Sequence, residues 1–393
     1  MPRTNRLLIA KLFLLCLSVG FSVFAIELGA RVHERLFLEP EELDMFQFRV
    51  RRPAPYRDSA YFSKEFVIES FQQPGGSDTP TGTRLVIPRD YDGVWFHVAK
   101  GLRFTEGQPA DFQHTIYVFG GSTVYSGEVP DALTLPSQLQ SLVNEQYGDR
   151  YRVENYGMTT VTTSQELERL RTIKPRRGDV VIFYDGVNDV FQEVYYARPK
   201  ETMIERNRRV IREFSAVERF LIDLSKHSAF ARNWTSPINY VDIPKHLRDE
   251  EKLTTLVSSL QGRFAKNIMD ARKYAVRHKA HFFHFLQPNI YTLKKPSTYE
   301  VQVMRNPKLY APPGMDVVFY QAYPLLREVS AGLRATKTVD AFDLSEILDP
   351  RESDEEHYLD ICHVADRANF IIASRIFRDI KQVLDADLEG NRF

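Results

Sequence analysis

The chain has 393 residues, 43% of them apolar and 12% aromatic, which supplies a large core and excludes a disordered or fibrous protein. Its 52 Lys and Arg balance 52 Asp and Glu, so it lacks the positive excess that nucleic-acid binding draws on. The cysteines are Cys16, in an apolar N-terminal run, and Cys362, which excludes a disulfide framework and a multi-cysteine zinc site.

Leu7 to Ile26 is an apolar stretch broken by Lys11 and a few small residues. As a helix it spans about 30 Å, the thickness of a hydrocarbon core. Arg3 and Arg6 precede it and no acidic residue comes before Glu27, which favours an inside N-terminus and export of the rest; Arg31 and Arg35 beyond the run make the bias slight. Val23-Phe24-Ala25 also suits cleavage after Ala25. Residues 1–30 therefore read as an anchor or a signal segment, and the length of Leu12 to Ile26 favours the anchor. Cys16 follows Leu15, where a lipoprotein signal would need a small residue.

Residues 31–112 read as a small β-rich segment, with strands expected at Arg84 to Ile87 and Val94 to His97. Thereafter short apolar strands alternate with helices. Strands are expected at Thr115 to Phe119, Tyr151 to Asn155, Val180 to Tyr184, His281 to Leu286 and Val339 to Asp343. Helices are expected over 134–148, with Pro136 in the first turn and Gly148 at the end, and over 161–173, 201–232, 249–278, 315–334 and 364–386. The last carries an apolar stripe at Phe370, Ala373, Phe377, Ile380 and Leu384. The pattern predicts a domain over 113–386 with a helical insert at about 191–255, followed by a tail, 387–393. Such alternation implies a parallel sheet covered on both faces, with ligands beyond the carboxyl ends of the strands.

Four loops fall at that edge: Gly120-Gly121-Ser122-Thr123, Asn155-Tyr156-Gly157, Asp185-Gly186-Val187-Asn188-Asp189 and Asp360-Ile361-Cys362-His363. They hold the parts of an acyl-transfer site. A serine hydroxyl needs a base to take its proton, and His363 can be that base. Asp360, three residues earlier, can fix its tautomer. The helix that follows is expected to help keep the ring neutral. The backbone N–H groups of Ser122 and Gly157 and the side-chain amide of Asn188 can stabilise an oxyanion.

Gly-Gly-Ser, Asn-Tyr-Gly, Gly-x-Asn-Asp and Asp-x-x-His, in this order and at these strand ends, resemble the SGNH (GDSL-type) hydrolases over residues 113–386. The resemblance implies a flavodoxin-like three-layer α/β/α sandwich, Ser122 as nucleophile, Gly157 and Asn188 as oxyanion donors, and Asp360 and His363 completing the triad. The first block departs from the family, with Gly-Gly-Ser-Thr in place of Gly-Asp-Ser-Leu.

Other signals carry plainer readings. Gly75-Gly76-Ser77-Asp78 is closer to the family spelling, but no buried strand precedes it, and it reads as a turn. Ser122 lacks the second flanking glycine of a Gly-x-Ser-x-Gly elbow and the Lys of a P-loop. His281 and His284 face opposite sides of their strand, which speaks against a metal site with His278. Asp185 and Asp189 read as turn chemistry, Arg206 to Arg212 as a solvated helix face, and Cys362 as a packed thiol.

The function expected is a membrane-anchored, extracytoplasmic serine esterase needing no cofactor or metal, with no nucleic-acid partner. Its substrate would be an acylated glycan or another ester, the acyl group acetyl above all, and its partners an envelope polysaccharide-modification machinery. The alternatives are a glycan O-acetyltransferase using the same site and a non-catalytic envelope scaffold or glycan-binding protein on a hydrolase fold.

Overall fold

The computed structural model describes residues 3–36, 45–73, 76–78, 86–198, 224, 228, 230, 243–349 and 355–388. The chain divides into two compact units, residues 1–42 with 206–242 and residues 43–205 with 243–393. In the first, helix α1 (Arg3–Leu36) contains Phe13–His33, which has a mean hydropathy of 2.0 and is long and apolar enough to cross a membrane. Most of the helix expected over 201–232, with the run Arg206 to Arg212, lies outside the described residues.

The second unit opens with α2 (Met45–Val50) and α3 (Lys64–Gln72), two helices that the β-rich expectation for 31–112 does not contain. At six and nine residues they are too short for a helical period to stand out, and Phe46, Phe48 and Val50 in α2 fall at the strand-like spacing of two. Strands β1 (Gly76–Asp78) and β2 (Val86–Pro88) form a two-stranded antiparallel sheet, so Ser77 lies on a strand and not in a turn, paired with Ile87. Strands β3 (Tyr91–Asp92), β4 (His97–Ala99) and β5 (Leu102–Arg103) follow. The strand expected from Val94 begins only at His97, because the Glu69 carboxylate accepts the N–H groups of Val94, Trp95 and Phe96 and holds them in a turn.

The expected alternation then appears: β6 (His114–Gly120), α4 (Ser122–Tyr125), α5 (Leu135–Tyr147), β7 (Tyr151–Gly157), α6 (Thr163–Leu170), β8 (Val180–Asp185), α7 (Val187–Val190), α8 (Glu250–Arg277), β9 (His281–Leu286), α9 (Thr298–Arg305), α10 (Met315–Ala335), β10 (Asp340–Asp343) and α11 (Asp366–Leu388). The sheet order is β10-β9-β8-β6-β7-β5-β4-β3. Its five long-range strands are parallel, in the doubly wound order of flavodoxin-like folds, and β5, β4 and β3 extend it antiparallel from β7. Helices α5 and α11 pack together, and α8 packs with α6 and α10, forming the layers over the sheet.

Every residue of β8 is buried, which explains its unbroken apolar run. In α11 the buried stripe includes Ile372, Ala373, Ile376, Ile380 and Leu384, while Phe370 is 47% exposed. The expected stripe had Phe370 inside; the aliphatic residues set the inward face instead. The register aligns Gly120 with both Gly157 and Tyr184, so β6, β7 and β8 end level at one edge.

A fully buried cation stabilises the chain beyond that edge. Arg103 on β5 donates from Nε to Asp131 Oδ1 at 2.9 Å, and to the carbonyls of Tyr125 at 2.6 Å, Val129 at 2.7 Å and Ser126. It thereby fixes the turn after α4. Arg103→Met leaves the Asp131 carboxylate with His97 as its remaining side-chain partner and takes the guanidinium from the buried carbonyls of Tyr125 and Val129, and should lower stability by about 3–5 kcal/mol, measured by urea unfolding.

Candidate active site

Gly120 and Gly121 turn the chain from β6 into the short helix α4, whose first residue is Ser122. Its N–H lies in the first turn, where helical amides have no partner within the helix. Gly157, at the end of β7, sits against α4 so closely that a Cβ would overlap the Tyr125 backbone nitrogen and Val124 carbonyl carbon. Asn155 fastens the two elements, its Nδ2 donating to Val124 O at 3.1 Å.

The segment 357–364 folds back on itself. Tyr358 pairs with Val364, Leu359 N–H donates to His363 O, and Ile290 N–H, beyond β9, donates to Ile361 O at 2.8 Å. This brings His363 to Ser122 across 241 residues, with Nε2 to Oγ at 2.7 Å. The Asp360 carboxylate lies 2.8 Å from His363 Nδ1 and also accepts the N–H groups of Cys362 and His363. An ionised carboxylate only accepts, so Nδ1 carries the proton and the Nε2 lone pair faces the Ser122 hydroxyl. Asp360 is fully buried and His363 is 6% exposed, whereas Ser122 is half-buried and reachable.

Burial alone would push Asp360 up, but the charge and hydrogen bonds of His363 and the charge of Arg49 outweigh it and hold the carboxyl below its usual range. Burial would likewise lower His363, yet Asp360, with Cys362 and Glu128, raises it well above its ordinary 6.5. The expected role of the last helix in keeping the ring neutral is therefore not met: α11 begins only at Asp366, and nearby carboxylates dominate.

Asn188, in α7, donates from Nδ2 to Val161 O at 2.9 Å, which leaves its second amide hydrogen for another acceptor. The same nitrogen is so near Gly121 that a Cβ there would overlap it. The Asn188 amide thus lies beside Gly121, the residue before Ser122. Gly157 differs from expectation in one respect. Its N–H donates to Asn155 Oδ1 at 2.9 Å. Serving an oxyanion would require sharing that hydrogen bond or leaving it.

The other sequence signals resolve as structure. Asp185 receives His284 Nε2 at 3.1 Å, and Asp189 accepts the N–H and hydroxyl of Thr163; both carboxylates are buried fold partners and not solvated turn residues. Cys362 is buried, with its pKa pushed up by that burial. It offers ligand atoms together with Asp360 and His363, but those residues already spend them on one another and on Ser122. Sequence reasoning missed Arg49, Glu128 and Asn155. Asn155 stands in the Asn-Tyr-Gly block and was within reach. Nothing in the sequence ties Arg49 to a residue 311 positions away.

No family model matches the chain, and no curated protein does. Solved structures with some likeness include TesA, at 14% identity and a TM-score of 0.37, covering 69% of this chain and 99% of that one. An acetylxylan esterase from Geobacillus stearothermophilus has 12% identity and a TM-score of 0.37, covering 70% and 95%. A G-D-S-L-family protein from Desulfitobacterium hafniense DCB-2 has 9% identity and a TM-score of 0.36, covering 68% and 99%.

The packing at Gly157 carries a test. Gly157→Ala should displace α4, and Ser122 with it, and lower labelling of Ser122 by a fluorophosphonate at least tenfold while the far-ultraviolet circular dichroism stays that of the wild type. Equal labelling would mean that the helix tolerates the shift.

Proposed function

We propose that this chain is a membrane-anchored serine esterase of the SGNH type. It would act on short acyl esters, acetyl above all, carried by glycans on the extracytoplasmic side of the membrane. The observation that carries the reading is the unbroken line from Ser122 Oγ through the His363 ring to a buried Asp360 carboxylate. Helix α1 supplies the anchor, and the site needs no cofactor for this chemistry.

In the proposed reaction His363 Nε2 takes the Ser122 proton as Oγ bonds to the ester carbonyl carbon. The carbonyl oxygen becomes an oxyanion held by the Ser122 N–H and the free Asn188 amide hydrogen. Collapse breaks the bond to the alcohol oxygen, which leaves with the proton from His363. Water, deprotonated by His363, then attacks the acyl-enzyme carbonyl carbon, and collapse breaks its bond to Oγ, which takes the proton back from His363 and frees the acid and Ser122. A sugar hydroxyl entering in place of water would make the same site an acetyltransferase, so glycan acceptors belong in the assay.

The full chain in detergent should hydrolyse p-nitrophenyl acetate and react with a fluorophosphonate. Ser122→Ala should abolish both, and Asn188→Ala should lower kcat by roughly 10²–10³, the effect of losing one oxyanion donor. A wild-type rate equal to that of Ser122→Ala, with short and long esters and with glycan acceptors present, would leave the scaffold reading in its place. Because His363 must be neutral to accept the proton, and its pKa is raised, activity should fall as pH drops through a midpoint above 6.5.

A further inference from the structure

Arg49 belongs to α2, outside the sheet and far in sequence from the site, yet it is 4% exposed. Its Nη2 donates to Glu128 Oε1 at 3.0 Å and to Asp360 Oδ2 at 3.3 Å. One buried guanidinium nitrogen thus serves two buried carboxylates, and one of these is the partner of His363. Glu128 is 7% exposed and lies in the turn after α4, and its backbone carbonyl accepts the Tyr56 hydroxyl at 2.7 Å. Phe71 lies under the Arg49 guanidinium at 5.4 Å and closes it off from the α3 side.

We propose that Arg49 is a positioning residue that, together with Glu128, sets the proton affinity of His363. The proposal rests on the esterase reading for its consequence in catalysis, but not for its geometry. With the imidazole neutral, Arg49, Glu128 and Asp360 carry a net charge of −1. Removing the Arg49 charge leaves two buried anions facing His363, which hold its proton more tightly. Removing the Glu128 charge leaves Arg49 to Asp360 alone, which loosens the proton. Removing both restores a net of −1.

Four further titratable groups around His363 and Asp360, one thiol and three phenols, do not change charge near neutrality. Burial pushes up the Cys362 thiol on their own loop and the phenols of Tyr310, Tyr56 and Tyr299 on the elements packed against them. Tyr310 stands at the mouth, its ring 5.9 Å from that of His363. The balance near neutral pH therefore lies with the three charged side chains.

The test is the titration of His363 by nitrogen NMR, in the full chain labelled with ¹⁵N at histidine and held in detergent, the signal being assigned by its loss in His363→Gln. Arg49→Met should raise the midpoint and Glu128→Gln should lower it, each by about one pH unit. The double variant should return near the wild type, and Arg49→Lys should lie between wild type and Arg49→Met. The acid limb of kcat/KM should follow the same order. A merely structural Arg49 would give shifts of one sign, or none, and that result overturns the proposal. Should Arg49→Met fail to fold, Glu128→Gln decides alone: a downward shift supports the proposal and an unchanged midpoint refutes it. An intact order of NMR midpoints in a chain without Ser122-dependent hydrolysis would overturn the esterase reading and leave this one standing.

Discussion

The site depends on a carboxylate held without water. Asp360 is fully buried, and an isolated anion in that position would take up a proton to avoid the loss of hydration. It stays ionised because its oxygens are occupied by the backbone N–H groups of Cys362 and His363, the imidazole Nδ1–H and the Arg49 guanidinium. Two of these come from the tight turn Asp360 itself begins, so the sequence Asp-x-x-His folds into a receptor for its own first residue. The fourth arrives from α2, and so a segment that forms no part of the parallel sheet is tied to the centre of the site.

A second constraint acts through backbone and not charge. Gly120 and Gly157 stand in register on adjacent parallel strands, and α4 lies directly across Gly157. Close approach of this kind converts the level strand ends into a fixed position for Ser122. Asn155 reinforces it by bonding α4 through its amide and Gly157 through its carbonyl. Arg103 then holds the turn that leaves α4, so the C-terminal end of the serine helix is fixed by residues of β5 and β7. A loop tethered this way keeps the serine at hydrogen-bonding distance from a histidine carried on a different part of the chain.

The parts legible in the sequence were those with local signatures. Three of the five parallel strands, β6, β8 and β9, are mostly apolar runs bounded by turns, and the expected bounds at His281 to Leu286 match β9 residue for residue. The helix over 134–148 announces itself through Pro136 and Gly148, which sit in its first turn and at its C-cap. The four strand-end loops were legible because doubly wound topology assigns function to that edge. What escaped was set by tertiary partners. The strand expected from Val94 lost three amides to the distant Glu69, and Phe370 lost its inward place to Ile372 and Ile376. Arg49 resembled any arginine in an Arg-rich stretch, because the two carboxylates that bury it come from 79 and 311 residues away.

Burying an arginine between two acids is hard to account for by folding stability alone. Replacing a buried ion cluster with apolar side chains of similar volume is often neutral or stabilising, since the attraction seldom exceeds the lost hydration by much. Arg103 shows the structural use of such a group: its guanidinium satisfies several main-chain carbonyls that would otherwise be orphaned. Arg49 satisfies side chains only, and one of them exists to hold a histidine. A purely structural core could dispense with Arg49, Glu128 and Asp360 together, along with the polar face of His363. A proton-transfer line keeps the anion at Nδ1, because it fixes the tautomer and stabilises the imidazolium that forms when the ring takes the serine proton. The cluster therefore favours a working acid–base site over a scaffold that has merely kept the fold.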